Sequence, residues 1–145
     1  LRDGASKMSK SDTSDATRIN LTDSVDDIAQ KIKRAKTDPE ALPTEPAGLV
    51  DRPEARNLVG IFSGLSGRAE VDVLAEFGGQ GFGAFKPALA ELAVNVISPI
   101  SQKMNQLLSE PDEIDKVLAR GAEQAHAITS PVLADVKKII GLTPP

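Results

Sequence analysis

Apolar residues recur at helical spacing through most of this chain, and the stretches between are rich in Pro, Gly or Ser. The first such pattern covers Asp23 to Lys36, where Val25, Ile28, Ala29, Ile32 and Ala35 fall three and four apart. Asp23 is the expected N-cap, and Asp26 and Asp27 suit the positive helix end. Lys31, Lys33, Arg34 and Lys36 crowd the last turns, where the negative end favours them. A second helix is expected near Glu54, with Asp51 as cap and Pro53 in its first turn. Leu58, Phe62 and Leu65 form its stripe, with Val59 beside them. A short helix follows from Ala69 to Phe77, with Leu74 and Phe77 on one side. A long pattern then runs from about Ala84 to Ser109, through Leu89, Leu92, Ala93, Val96, Ile97, Ile100, Met104 and Leu107. Pro99 should kink it. The last helix begins at Pro111 or Asp112, bends at Pro131 and ends at a Gly141 cap. No strand alternation or hairpin signal occurs, so the expected fold class is all-α, with short connections favouring antiparallel neighbours.

Three stretches lack the period. Residues 1–17 are polar and read as a mobile loop. Residues 37–53 hold Pro39, Pro43, Pro46, Pro53 and Gly48 and read as a linker or long irregular loop. Gly78 to Gly83 is broken by four glycines. Charge divides unevenly about the second stretch. Residues 1–36 carry eight basic and six acidic groups, a net +2, and the rest of the chain carries −6. An anionic ligand should therefore prefer the first quarter.

Composition narrows the chemistry. The 145 residues fit one ordinary domain, but a start at Leu1 inside a polar loop points to a piece of a longer protein. The overall charge of −4 argues against a general nucleic-acid coat. There is no Cys, which excludes disulfides and thiolate chemistry. The single His126 cannot build a His-rich metal site or relay, and its Ala neighbours predict a partly buried helix residue. No metal ligand set is expected. No run reaches the roughly 20 apolar residues that span a bilayer, so no membrane role is expected and a cytoplasmic location is the default.

Two stretches could hold a phosphate. The glycines at 79, 81 and 83 follow no predicted strand and match neither a dinucleotide fingerprint nor a P-loop. They should instead let a turn lie close to a neighbouring helix. The other stretch is Lys7-Met8-Ser9-Lys10-Ser11, where two ammonium groups three apart alternate with hydroxyls. Such a loop can wrap a polyphosphate, although the same composition also serves a solvated linker.

KMSKS at 7–11 resembles the second signature of the class I aminoacyl-tRNA synthetases at all five positions. The order KMSKSD, KIKRAKTD, NLVGIFSGLSG, GGQGFGAFKPALAELAVNVISPI and DKVLARGAEQAHAI is similar throughout to the bacterial tryptophanyl branch of that family. The resemblance covers essentially the whole chain and corresponds to the family's C-terminal portion. It implies ATP-dependent formation of tryptophanyl-adenylate from L-tryptophan, then transfer to tRNA(Trp). It implies that Lys7, Met8, Ser9, Lys10 and Ser11 bind ATP, with Mg2+ carried by the nucleotide. Lys7 and Lys10 would be the catalytic pair, holding the phosphates and stabilising departing pyrophosphate. It further implies a KMSKS loop at 1–17, a helical anticodon-recognition region at 18–107, and a helix at 108–145 packing back toward an α/β Rossmann-type domain absent from this chain. A homodimer would form mainly through that domain. The chain alone should be inactive. Lys31, Lys33, Arg34 and Lys36 are candidates for tRNA backbone contact by position and charge. Two rival readings are a non-catalytic helical interaction module and a relative of the tyrosine enzyme. The latter usually has a Phe-Gly pair in the signature, which is not found here.

Overall fold

A computed structural model describes residues 1, 3–5 and 12–142. The signature residues Lys7, Met8, Ser9, Lys10 and Ser11 lie outside the described residues. Every regular element among the described residues is helical, as the hydrophobic period predicts. Five α-helices follow in order: α1 (Val25–Lys33), α2 (Pro53–Ser66), α3 (Glu70–Phe77), α4 (Phe82–Ser109) and α5 (Pro111–Ile139). Short 3-10 turns occupy Asp15–Thr17 and Pro46–Leu49. The chain divides into two compact units, Leu1–Met104 and Asn105–Pro145.

The first unit follows the expected stripes in part, since Val25, Val96, Ile100 and Met104 of those patterns are exposed. Ile28 and Ile32 of α1, Ala55, Leu58, Val59 and Phe62 of α2, and Val73, Leu74 and Phe77 of α3 are buried. Phe82, Phe85, Leu89 and Ala93 of α4 complete the core. The chain's four Phe residues meet there. Phe85 stacks on Phe62 at 5.6 Å between centroids and meets Phe77 edge-on at 5.2 Å. With no Trp or Tyr available, this cluster supplies the only large planar surfaces in the core.

The helix ends differ from expectation in instructive ways. The N-cap of α1 is Ser24 rather than Asp23. The Asp27 N–H donates to Ser24 Oγ at 3.1 Å, and Asp27 accepts from the Ser24 N–H at 3.2 Å, closing a capping box. Asp23 is instead drawn away by Lys31 and Asn20. At α2 the cap position is Arg52, without a side-chain cap bond, and Pro53 occupies the first turn as expected. Asp51, the expected cap, is therefore not the N-cap residue. Helix α4 starts two residues early, at Phe82. Helices α4 and α5 continue through Pro99 and Pro131. Gly141 does end α5. Its φ is 75°, its N–H donates to the Lys138 carbonyl at 3.3 Å, and the Leu142 N–H reaches the Lys137 carbonyl at 2.8 Å, a Schellman arrangement.

The Pro-rich stretch at 37–53 is the long irregular loop of the two expected alternatives, and not a linker. Leu42 and Leu49 are both buried in the core of the first unit. Arg52 fixes the loop from within: its Nε donates to Asp38 Oδ2 at 3.1 Å, its Nη2 to Asp38 Oδ1, and its Nη1 to the Ala41 carbonyl at 2.7 Å. The glycine stretch packs against this loop rather than against a helix. The Leu42 N–H donates to the Gln80 carbonyl at 2.9 Å, and the Gly79 N–H to the Leu42 carbonyl at 2.8 Å. A Cβ on Gly78 would lie 2.4 Å from the Leu74 carbonyl oxygen and 2.9 Å from Thr44 Cα.

In the second unit, α5 buries none of its residues. Val117, Leu118, Ile128, Val132, Val136 and Ile139 are all exposed. His126 is exposed too, contrary to the expectation of partial burial. Its Ala neighbours mark a helix, but no core forms around that helix within the unit.

Candidate functional site

Described residues precede and follow the signature segment in sequence. On the entry side, the Leu1 backbone nitrogen donates to the Thr17 carbonyl at 3.0 Å, and the Leu1 carbonyl accepts from the Lys36 N–H at 2.9 Å. Gly4 then passes against the start of α2. A Cβ there would sit 2.4 Å from the Pro53 carbonyl oxygen and 2.8 Å from the Glu54 nitrogen, so the close approach demands glycine. Beside Gly4 opens a cleft of about 510 Å3 lined by Val50, Pro53, Arg56, Asn57, Gly60, Ile61 and Glu70.

On the exit side, the described residues from Asp12 to Thr17 make hydrogen bonds to one another and to Arg18. Asp12 Oδ1 accepts from the Ser14 N–H at 2.8 Å, and the Asp12 carbonyl accepts from Arg18 Nη1 at 3.1 Å. The 3-10 turn brings Asp15 to α1, where Lys31 Nζ lies 2.6 Å from Asp15 Oδ2 and 2.6 Å from Asp23 Oδ2. Asn20 joins both carboxylates: its Nδ2 donates to Asp15 at 2.6 Å and to Asp23 at 3.3 Å. Lys31 hydrogen bonds, with those of Asn20, hold the Asp15 carboxyl below its ordinary value. Burial works against the Lys31 charge, but bonds to Asp15 and Asp23 outweigh it and raise the ammonium above its ordinary value.

The four cations at the end of α1 therefore have different fates. Lys31 is committed to two carboxylates, which removes it from the candidates for tRNA contact. Lys36 pairs with Glu54 at 2.7 Å. Lys33 and Arg34 are exposed and make no ion pair among the described residues. Sequence reasoning assigned the helix end to these residues, yet its carbonyls are met by Lys86 from α4. Lys86 Nζ donates to the Ala35 carbonyl at 2.6 Å and to the Lys33 carbonyl at 3.2 Å. Burial pushes the Lys86 ammonium below its ordinary value. The Lys31 network and the Lys86 cap both join residues distant in sequence, and no local spacing announces them. Among the described residues, no three His, Asp or Glu side chains are grouped to hold a metal ion. No helix among them is long and apolar enough to cross a membrane.

The described residues on either side of 7–11 belong to an all-helical body, the fold class that the class I synthetase resemblance implies for this portion. The model of the class I tRNA synthetases for W and Y matches residues 1–98, and the chain belongs to that family. The chain is 57% identical to the tryptophan–tRNA ligase of Agrobacterium fabrum over 97% of its own length and 40% of that protein. It is 56% identical to the tryptophan–tRNA ligase of Caulobacter vibrioides, covering 97% of this chain and 41% of that one. A solved tryptophanyl-tRNA synthetase from Mycoplasma pneumoniae superimposes with a TM-score of 0.68 at 25% identity, covering 99% of this chain and 45% of that one. The chain thus spans about two fifths of the length of the curated relatives it matches. Membership of the family sets aside an unrelated helical interaction module.

Proposed function

We propose that this chain is the helical portion of a tryptophan–tRNA ligase, together with the signature segment that handles ATP phosphates. In the intact enzyme, ATP and L-tryptophan give tryptophanyl-adenylate and pyrophosphate, and the tryptophanyl group then passes to tRNA(Trp). The observation that carries this reading is the signature Lys7-Met8-Ser9-Lys10-Ser11, set in a chain 57% identical to a tryptophan–tRNA ligase across 97% of its length. The relatives cited above are tryptophan enzymes, which favours tryptophan over tyrosine.

Lys7 and Lys10 place two ammonium groups against the phosphates and stabilise the charge that develops on departing pyrophosphate. Ser9 and Ser11 add hydrogen bonds, and Met8 an apolar contact. Mg2+ enters only as the ion the nucleotide carries. The segment from 1 to 17 is the KMSKS loop, 18–107 the small helical region that reads the anticodon, and 108–145 a helix that packs back on the α/β domain. The exposed apolar residues of α5 support that last assignment, because a long unburied stripe requires a partner surface. The enzyme works as a homodimer in the cytoplasm. Rapid-quench measurement of pyrophosphate release in the intact enzyme tests the phosphate role. Lys7→Ala and Lys10→Ala should each slow the step about a hundredfold while leaving tryptophan affinity nearly unchanged. Unchanged rates in both variants remove the role.

A further inference from the structure

Lys31 is held more tightly than service to the helix dipole requires. A cation in the last turn of a helix can act from solvent. Lys31 instead has a side chain only 10% exposed, with Asp15 and Asp23 each at 2.6 Å. The network continues from there toward the signature. Arg18 Nη2 lies 3.5 Å from Asp15 Oδ1, Arg18 Nε donates to Asn20 Oδ1 at 3.1 Å, and Arg18 Nη1 donates to the Asp12 carbonyl. Asp12 is the residue that follows the 7–11 segment. An unbroken polar chain therefore links α1 to Asp12.

We propose that Lys31 is a positioning residue for the ATP step, fixing through Asp15, Asn20 and Arg18 the backbone frame from which the signature residues reach the phosphates. This rests on the reading of residues 7–11 as the phosphate-binding signature. Electrostatic stabilisation of a leaving group depends on where the donors sit, and small misplacements from remote changes are costly. Without the Lys31 charge, the Asp15 and Asp23 carboxylates repel each other, with Asn20 bonded to both and Arg18, 3.5 Å from Asp15, the one cation left in the network. Asp15, the more exposed of the two, is the one free to move away, and Asp12 would follow through Arg18.

The test uses the intact enzyme with Lys31→Met, Lys31→Arg, Asp15→Asn, Lys10→Ala and the Lys31→Met/Lys10→Ala double variant. Pyrophosphate release and the KM values for ATP and tryptophan are measured separately. Lys31→Met should slow pyrophosphate release about tenfold, with the KM for tryptophan changed less than about twofold. Lys31→Arg should recover most of the rate. If Lys31 acts through the signature, its removal in the Lys10→Ala background should cost less than about twofold. Equal losses in both backgrounds would overturn the proposal, because Lys31 would then act elsewhere. A slow Lys10→Ala beside an unimpaired Lys31→Met removes this inference alone. A full-speed Lys10→Ala removes the phosphate reading and the inference with it. Should Lys31→Met fail to fold, Asp15→Asn carries the same expected pattern, and its failure to slow pyrophosphate release is decisive.

Discussion

Replacing Phe85 by Ala tests whether the aromatic cluster is the centre of the first unit. Phe85 is 0% exposed and is the ring shared by three pairs. It stacks on Phe62 at 5.6 Å and meets Phe77 and Phe82 edge-on at 5.2 and 6.5 Å. Truncation of a buried Phe to Ala costs about 3–5 kcal/mol, the transfer term plus the cavity left behind. Aromatic pairs add about 0.5–1.5 kcal/mol beyond their buried area, and these contributions are not additive. The three pairings place Phe85 in the upper half of the range, at about 4–5 kcal/mol. Native domains hold only about 5–15 kcal/mol in all, so the variant should be close to unfolding. Urea denaturation followed by circular dichroism at 222 nm measures this, since the chain has no Trp for fluorescence. With a slope of about 2 kcal/mol per molar urea, the midpoint should fall by about 2 M. Phe82, 8% exposed and in contact at the longest centroid distance, serves as the internal comparison and should cost less. A Phe85→Ala loss below about 1 kcal/mol, or one no larger than that of Phe82→Ala, would refute the packing argument.

Glycines give a paired prediction: Gly78→Ala should destabilise by about 2 kcal/mol or more, because its Cβ meets Leu74 O at 2.4 Å. Gly83→Ala, in open space within α4, should stabilise by about 0.5–1 kcal/mol, and thermal melts of the two variants should move in opposite directions. Ser24→Ala removes the capping box of α1 and should cost about 1 kcal/mol, lowering the melting temperature by about 4–8 °C. Acid should weaken the 38–52 loop. Burial raises the Asp38 carboxyl, but Arg52 and the Glu40 N–H outweigh it and hold it below its ordinary 3.8. A depressed carboxyl contributes stability that is present above its unfolded value of 3.8 and is lost as pH falls through the folded value. Arg52→Met should therefore flatten the loss of stability below pH 3.8, as read by urea midpoints across pH.

The helices were legible because their apolar residues keep the 3.6-residue period over long stretches, as Ile28 and Ile32 or Leu58 and Phe62 show. Cap identity was less legible. Asp23 and Ser24 are both good N-caps, and the choice fell to Lys31 and Asn20, which occupy the Asp23 carboxylate. The Pro-rich stretch at 37–53 is the long irregular loop its Pro and Gly residues announce, but its burial was less legible, because those residues report backbone conformation and not burial. Leu42 and Leu49 were its only core signal. His126 misled in the other direction, since helical apolar spacing shows that a face exists but not what covers it. The signature at 7–11 could be read because its chemistry is local, five consecutive residues with two cations and two hydroxyls. The Lys31 network and the Lys86 cap could not, because Lys31 meets Asp15 and Asp23, and Lys86 meets the Ala35 carbonyl, through the fold.

Amino-acid-dependent exchange of pyrophosphate into ATP by the intact enzyme tests the central claim most directly. The account predicts exchange that requires tryptophan, is not supported by tyrosine, and falls about a hundredfold in Lys7→Ala and Lys10→Ala. Exchange supported equally by tyrosine, or undiminished in both lysine variants, would contradict it.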